Sequence, residues 1–431
     1  MNIAFIIACI TVVLFLFCIL FSINFKIGSK IRLPGYILVS LLGGISMVLF
    51  NQISINDIWQ SFSENTSVNP IKILVLFLSM TVFSLILERT DFFKFISGVV
   101  LKHSGKNQYV IFLSLYAIIS LLTIFTSNDI IILTFTPFIC HFCKSAKINP
   151  IPYLIMEFIA ANTWSLFLII GNPTNIYIAS AFNISFAEYF IKMIVPTITV
   201  GLSSLAIMIL IFNKHLKAKI TPQVEITKVN NVPLMIVSLT HLLMCVVLLA
   251  VSQYMNVEMW IISFGMALSV TVSSVICLVL QKRSLTPIAQ AAKSMPFEII
   301  PFIIGMFIVV LALGKSGTTE TLSNIISADK TVFSFGFLSL LAANILNNIP
   351  MSVLFSEILS LSCTEPQIYA VIVGSNIGAF ITPVGALAGI MWSNLIRQSK
   401  VHISVARFIV YGLTVGIPSF FLTLLVLQFI M

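Results

Sequence analysis

The chain has 431 residues, of which 59% are hydrophobic and 9% charged, with mean hydropathy +1.10 and net charge +9. Soluble domains carry roughly 25% charged residues, so the composition excludes a soluble enzyme and points to an all-α polytopic membrane protein embedded in a lipid bilayer. The basic excess is then a topology signal, because Lys and Arg collect in cytoplasmic loops; it implies no nucleic-acid partner.

A membrane span needs about 20 apolar residues. Residues 3–25 supply the first, with no basic residue before it and no small-residue cleavage site after it, unlike a signal peptide. Lys26, Lys30 and Arg32 follow and place that loop inside and the N-terminus outside. Residues 33–50 return outward, residues 51–70 hold no Lys or Arg, and residues 71–88 run back to Glu88, Arg89, Asp91 and Lys94. Residues 92–103 read as an amphipathic surface helix anchored by Phe92, Phe93 and Phe95. Residues 107–143 are apolar, yet both flanks are basic, with Lys102 and Lys106 before and Lys144 and Lys147 after. Such a segment enters and returns on one side, a re-entrant hairpin with Ser127-Asn128-Asp129 near its tip. Cys140-His141-Phe142-Cys143 at its foot has CxxC spacing but no second ligand pair, and no metal site is expected. The seven cysteines show no disulfide framework. Residues 150–184 cross outward, interrupted at Gly171 to Asn175, and 187–212 cross back to Lys214, Lys217, Lys219 and Lys228.

The second half repeats this order upside down. Residues 232–252, 258–280 and 297–314 are spans, 317–329 a surface helix, 331–361 a hairpin tipped by Asn347 to Pro350, 367–396 a span broken at Thr382 to Gly385, and 404–430 the last span. The hairpin flanks Asp329, Lys330 and Glu365 lack a basic bias. The pattern describes two inverted-topology repeats, each with five spans, one of them broken, and one re-entrant hairpin. Residues 1–212 form the first repeat, 213–231 a cytoplasmic linker and 232–431 the second. Of the 23 Lys and Arg, all but Lys72, Lys192, Lys315 and Lys330 fall on the inner side. The expected location is a bacterial-type plasma (inner) membrane with both termini outside.

Four polar breaks carry the chemistry: Thr126-Ser127-Asn128-Asp129, Gly171-Asn172-Pro173-Thr174-Asn175, Asn347-Asn348-Ile349-Pro350 and Thr382-Pro383-Val384-Gly385. Each reads as a helix starting afresh, with a capping side chain and, in three of the four, a proline at or near the first turn. Irregular backbone at membrane depth is tolerated only inside protein or beside water, and paired broken helices mark the binding site of secondary transporters. Helix N-termini near residues 130 and 350, and after Asn172 and Thr382, favour an anion or a polar neutral species. Ser127, Asn128, Asn172, Thr174, Asn175, Asn347, Asn348, Ser375, Asn376, Thr382 and Gly385 are the candidate substrate- or ion-binding residues. Asp129, the one carboxylate at such a tip, joins them as a candidate for carrying a coupling proton or ligating Na⁺. Glu157, about seven residues into its helix, is the second proton candidate, or else an interfacial partner of Lys144 or Lys147. No cofactor is needed beyond a coupling ion, H⁺ or Na⁺.

Rival classes lack their motifs. Gly314-Lys315-Ser316 resembles the end of a phosphate loop, but residue 309 is Val where the leading Gly is required. None of the five histidines is followed by Glu, as a zinc intramembrane protease needs. A channel would not need two inverted halves. The chain reads as a transporter and not an enzyme.

The residues resemble those of the ion transporter superfamily over nearly the whole chain, and most of all the arsenical pump membrane proteins. Asn128-Asp129 with Leu133-Thr134 and Pro137 is similar to that family's first hairpin, and Asn347-Asn348-Ile349-Pro350-Met351 to its second. Gly374-Ser375-Asn376-Ile377-Gly378, with Ile381 to Ala388 and Trp392, is similar to its second broken helix. The resemblance implies an elevator-like arrangement, a homodimer, and arsenite or antimonite export coupled to protons. The chain departs from it at Asn162 and Asn376, where arsenical pumps typically carry Asp, and at Ala379-Phe380, where they carry Pro-Lys. Gly171 to Asn175 looks more like the loops of carboxylate and anion carriers. Three readings follow: an exporter of arsenite or a related anion driven by H⁺, a Na⁺- or H⁺-coupled carboxylate or inorganic-anion carrier, and a Na⁺/H⁺ antiporter of the same fold. The cargo is a small inorganic or organic anion, or a neutral metalloid hydroxide.

Overall fold

The computed structural model describes residues 2–21, 23–27, 31–64, 69–103, 107–217, 228–326, 331–361 and 363–431. Lys30, Lys106, Lys219, Asp329, Lys330 and most of the expected linker lie outside the described residues.

The chain folds almost entirely as helix. The first half holds α1 (Ile3–Leu20), a hairpin of β1 (Asn24–Ile27) and β2 (Ile31–Pro34), α2 (Gly35–Leu49), α3 (Ile55–Ser63), α4 (Pro70–Glu88), α5 (Phe92–His103), α6 (Gln108–Phe125), α7 (Asn128–Ser145), α8 (Ile151–Trp164), α9 (Pro173–Ala181) and α10 (Phe186–Leu216). The second half holds α11 (Val232–Ala250), α12 (Met259–Leu280), α13 (Thr286–Lys293), α14 (Ile299–Lys315), α15 (Thr318–Ile326), α16 (Val332–Leu346), α17 (Asn348–Leu361), α18 (Glu365–Gly378), α19 (Leu387–Gln398) and α20 (Val405–Ile430). Polar residues ahead of apolar runs become caps, because the first turn's N–H groups have no helical acceptor. Asn69 caps α4 ahead of Pro70, Asn172 caps α9 ahead of Pro173, Asn231 caps α11 ahead of Val232-Pro233, and Ser185 and Ser404 cap α10 and α20.

The described helices α4, α6, α10, α11, α12 and α20 are long and apolar enough to cross a membrane. The apolar helices α1, α2, α16 and α17 are shorter, and α15 bends 73° away from α14. Three details differ from the sequence reading. The first span ends at Leu20, not residue 25, because the following residues pair as β1–β2 with Lys26 opposite Arg32. Residues 51–70 contain α3, held by a reciprocal Ser54–Asp57 capping box. A further short helix, α13, precedes α14.

Several helix contacts recur when the two halves are exchanged. The contact of α2 with α14 is matched by α12 with α4, α1 with α2 by α11 with α12, α6 with α8 by α16 with α18, and α7 with α19 by α17 with α9; α10 packs on α20. Small residues allow the closest crossings, as packing between membrane helices requires. A Cβ on Gly374 of α18 would collide with Ser339 Oγ and Gly336 O of α16. One on Gly305 of α14 would sit 2.5 Å from Ser40 O of α2.

Candidate functional site

The first turn of interest joins α6 to α7 through Thr126 and Ser127 alone. Thr126 Oγ1 donates to Leu122 O at 2.7 Å, and Ser127 Oγ accepts from Ile130 N, so α7 starts at Asn128. Asn128 accepts from Asp129 N at 3.0 Å through Oδ1 and donates through Nδ2 to Asn162 Oδ1 of α8 at 3.1 Å. Asp129 is half-buried, and its carboxylate has no hydrogen bond or ion pair among the described residues.

The first broken helix opens earlier than its Gly-Asn-Pro-Thr-Asn signature. α8 ends at Trp164, Ser165 to Leu168 are irregular, and a single 3-10 turn over Ile169–Gly171 leads to α9. Gly171 passes so close to Ser165 O that a Cβ would collide with it. Asn172 Oδ1 accepts from Thr174 N and Oγ1, both at 3.2 Å, while its Nδ2 donates to Asn376 Oδ1 at 2.9 Å. The Ser165 hydroxyl lies between Asn162 O at 2.9 Å and Asn376 Oδ1 at 3.1 Å. Asn376 Nδ2 donates to Asn175 Oδ1 at 2.7 Å and to Ile372 O at 2.9 Å, and Asn175 Nδ2 donates to Ser165 O at 2.8 Å. Asn376 thus uses both protons and its carbonyl oxygen on the protein. It clamps the second half's broken helix to the first.

At the second break the connection from α16 to α17 is the single residue Asn347, with φ 73° and ψ 152°. That region disfavours any residue with a Cβ. It is held by Asn347 Nδ2 donating to Val384 O at 2.9 Å and Asn348 N donating to Gly385 O at 3.0 Å. Thr382 is not the N-cap expected from sequence. The half-helix α19 starts at Leu387, and Thr382 Oγ1 instead donates to Asn344 Oδ1 of α16 at 2.7 Å. Among the described residues Asn348 Oδ1 and Ser375 Oγ are buried without a hydrogen-bond partner.

The structure gathers the candidates into two linked groups. Asn128, Asn162, Ser165, Asn172, Thr174, Asn175 and Asn376 form one chain of amides and hydroxyls, with Ser127 and Asp129 at its end. Asn347, Asn348, Thr382 and Gly385 form the other, and Gly385 lies against Gly378 O, three residues beyond Ser375. Asn162, Ser165 and Asn344 escape sequence reasoning as bonding partners. The available signal was positional: Asn162 and Asn376 stand in equivalent helices, and each donates to the carbonyl one turn back, Phe158 O and Ile372 O.

Glu157 does not reach the interface, one of its two sequence readings. It is fully buried in α8, in no ion pair with Lys144 or Lys147, and accepts from Thr136 Oγ1 of α7 at 2.8 Å. Among the described residues its Oε2 has no hydrogen-bond partner, nor has the indole N–H of Trp392 beside the carboxyl. The neighbouring Phe158 packs with Trp392 and Phe408 in a cluster with ring centroids 5.3–5.4 Å apart. Cys140 and Cys143 are buried in α7.

Residues 12–367 match the CitMHS citrate transporter family. The arsenical pump membrane protein of Escherichia coli is 24% identical over 369 residues, covering 81% of this chain and 84% of the relative. That of Yersinia enterocolitica is 25% identical over 362 residues with the same coverage. A 46 kDa membrane protein of Mycobacterium leprae is 26% identical over 399 residues, covering 89% and 91%. Among solved structures, the YdaH transporter of Alcanivorax borkumensis superposes with TM-score 0.57 at 12% identity over 99% of this chain and 97% of its own, a likeness of fold. A family match spanning most of the sequence, over a fold shared with a solved transporter, makes this chain an integral membrane transporter belonging to the CitMHS citrate transporter family.

Proposed function

We propose that the protein is a secondary active, elevator-type carrier that exports arsenite, antimonite or a related small oxyanion in exchange for protons. One observation carries this reading. The buried polar groups at the breaks are amides, hydroxyls and backbone, with no Lys or Arg among their hydrogen-bond partners, and the tip carboxylate Asp129 is unpartnered among the described residues. A multiply charged carboxylate held at membrane depth would need cationic partners. A neutral metalloid hydroxide or a monoanion needs only donors, acceptors and helix ends. Asp129 is the group that takes and releases the coupling proton, and Glu157 is the second candidate.

The remaining features fit the same account. The mirrored packing supports repeats at 1–212 and 232–431 joined by 213–231, with α6–α7 and α16–α17 as the re-entrant hairpins. Lys72, Lys192 and Lys315, which sit on the outer side of this topology, are paired with Glu258, with Glu188 and Glu365, and with Asp57. Neutralised lysines do not oppose an orientation with both termini outside in the bacterial inner membrane. The protein works as a homodimer, carries no resident cofactor and performs no catalysis.

A second reading, a Na⁺-coupled carboxylate carrier, draws on the family match and on the unpartnered Asn348 Oδ1 and Ser375 Oγ, neutral oxygens of the kind that ligate Na⁺. Arsenite uptake into energised everted vesicles decides between them. Protonophore-sensitive accumulation above vesicles lacking the protein is expected. Absence of arsenite accumulation, with Na⁺-driven citrate uptake in its place, would reverse the order.

A further inference from the structure

We propose that Glu357 of α17 and Tyr177 of α9 form a proton entry leading from the outer face to the first break. Glu357 stands one turn from the end of α17, where that helix packs on α9, α14 and α15. Gly314 of α14 presents no side chain to it: a Cβ there would lie 3.6 Å from Glu357 Oε2 and 3.9 Å from Thr319 Oγ1 of α15. The Glu357 carboxyl is half-buried and makes no hydrogen bond or ion pair among the described residues. The titratable groups on the elements packed against α17 are otherwise engaged or turned outward. Lys315 of α14 is paired with Asp57, Glu365 of α18 with Lys192, the Tyr369 ring of α18 packs on Tyr189, Glu320 of α15 is exposed, and α16 has no titratable residue. The Tyr177 phenol remains, and the Glu357 charge acts on it. A carboxyl held in a membrane protein with no counter-charge marks a functional site, because nothing in the fold offsets its desolvation.

Tyr177 is buried, and its hydroxyl makes no hydrogen bond among the described residues. It follows Pro173 by four residues, about 6 Å of helix from the first break. A phenol both donates and accepts. It takes a proton on its oxygen from Glu357 as it releases its own toward Asn172 and Thr174, so one O–H bond forms as another breaks. The opposite end of the molecule follows the same plan. Exchange of the halves carries α9, α14, α15 and α17 onto α19, α4, α5 and α7, and α7 meets α4, α5 and α19 as α17 meets α14, α15 and α9. Thr136 stands nine residues into α7, and Glu357 ten residues into α17. At the α7 junction the carboxyl comes from α8: it is Glu157, to which Thr136 donates, beside the indole of Trp392 of α19. A carboxyl beside an aromatic N–H or O–H of a half-helix therefore recurs at both ends. The two differ in access. Glu157 is fully buried, and Phe93 of α5 packs on Phe135 of α7 with centroids 6.4 Å apart, whereas Glu357 is half-buried near Thr319. The outer junction is the open one in this structure.

The proposal rests on the proton-coupled reading and its topology, but its first test needs no transport. Dicyclohexylcarbodiimide modifies carboxyls that are protonated and shielded from water, and peptide mass mapping locates the product. In right-side-out vesicles with a buffered interior, modification of Glu357 is expected to fall about fivefold as the outer pH rises from about 6 to about 9, and to ignore the inner pH. Asp57 and Glu365, held in ion pairs, are expected to stay unmodified. Modification of Glu357 that follows the inner pH, modification that is the same at every pH, or none at all overturns the outer entry. In everted vesicles, Glu357→Gln and Tyr177→Phe are each expected to lower protonophore-sensitive arsenite accumulation about tenfold while arsenite counterflow stays within about twofold. Glu357→Asp is expected to recover part of the accumulation, and Tyr177→Phe to leave the modification of Glu357 intact. Full coupling in either monodisperse variant, or counterflow lost together with accumulation, overturns the relay. Modification that tracks the outer pH in a parent that takes up no arsenite would keep the proton entry and reject the arsenite cargo.

Discussion

Replacing Asn376 by aspartate tests the clamp between the two broken helices. The amide donates to Asn175 Oδ1 at 2.7 Å and Ile372 O at 2.9 Å while its oxygen accepts from Asn172. Aspartate keeps the acceptor and loses the donors. Ile372 O retains its helical partner, but Asn175 Oδ1 is left buried and facing another oxygen. One lost hydrogen bond is worth about 1 kcal/mol and an orphaned buried acceptor about 1–3 kcal/mol more, so Asn376→Asp should destabilise by about 2–4 kcal/mol. The assay is the unfolding midpoint in mixed micelles titrated with SDS, followed by circular dichroism. Asn175→Ala removes the facing oxygen, so the double variant should lose at least about 0.5 kcal/mol less than the sum of the single changes. Asn376→Asp within about 0.5 kcal/mol of the parent, or strict additivity with Asn175→Ala, would falsify the clamp. The aspartate that the arsenical-pump resemblance implies here therefore cannot simply be restored without a change in its partners.

Other outcomes follow from the same geometry. Asp129→Asn should abolish protonophore-sensitive transport while leaving the micelle unfolding midpoint unchanged; an active, pH-driven variant refutes its coupling role. Gly374→Ala places a methyl group into Ser339 Oγ and Gly336 O, and should lose the monodisperse peak in size-exclusion chromatography; a parent-like profile would show that α16 and α18 can separate without penalty. Lys315 and the Ser54 side chain and backbone hold the Asp57 carboxyl down at about 2. A depressed folded value means the α3–α14 tie is fully present above the ordinary carboxylate range and is lost as pH falls toward 2. Hydrogen exchange in α3 should rise over that interval in the parent, and Asp57→Asn should exchange faster at neutral pH with a flatter acid profile; identical profiles refute the tie.

Much of the architecture is written in short-range chemistry. Apolar length marks the spans, and Asn69-Pro70, Asn172-Pro173 and Ser404 start helices where capping physics places them. The repeated order of elements across the halves and the helix breaks just before Asn128 and Asn348 were legible on the same grounds. Less legible were features whose cause lies far along the chain. Thr382 looked like a cap because a threonine before a proline has that local form, but its hydroxyl goes to Asn344. Glu157 read either as a proton candidate or as an interfacial residue by helix position, and it is fully buried, with Thr136 of α7 donating to it.

What the sequence determined alone is a polytopic helical transporter with four polar interruptions, because hydrophobic length, capping residues and proline act within a few positions. What only the tertiary structure decided is which interrupting residues remain free. Asn376, Asn175 and Ser165 are joined by bonds spanning more than 200 positions and are occupied with one another. Asp129, Asn348 Oδ1 and Ser375 Oγ are left without partners among the described residues. A side chain's identity gives its capacity for hydrogen bonds, but packing between distant helices decides whether that capacity is spent on the fold or kept for a ligand.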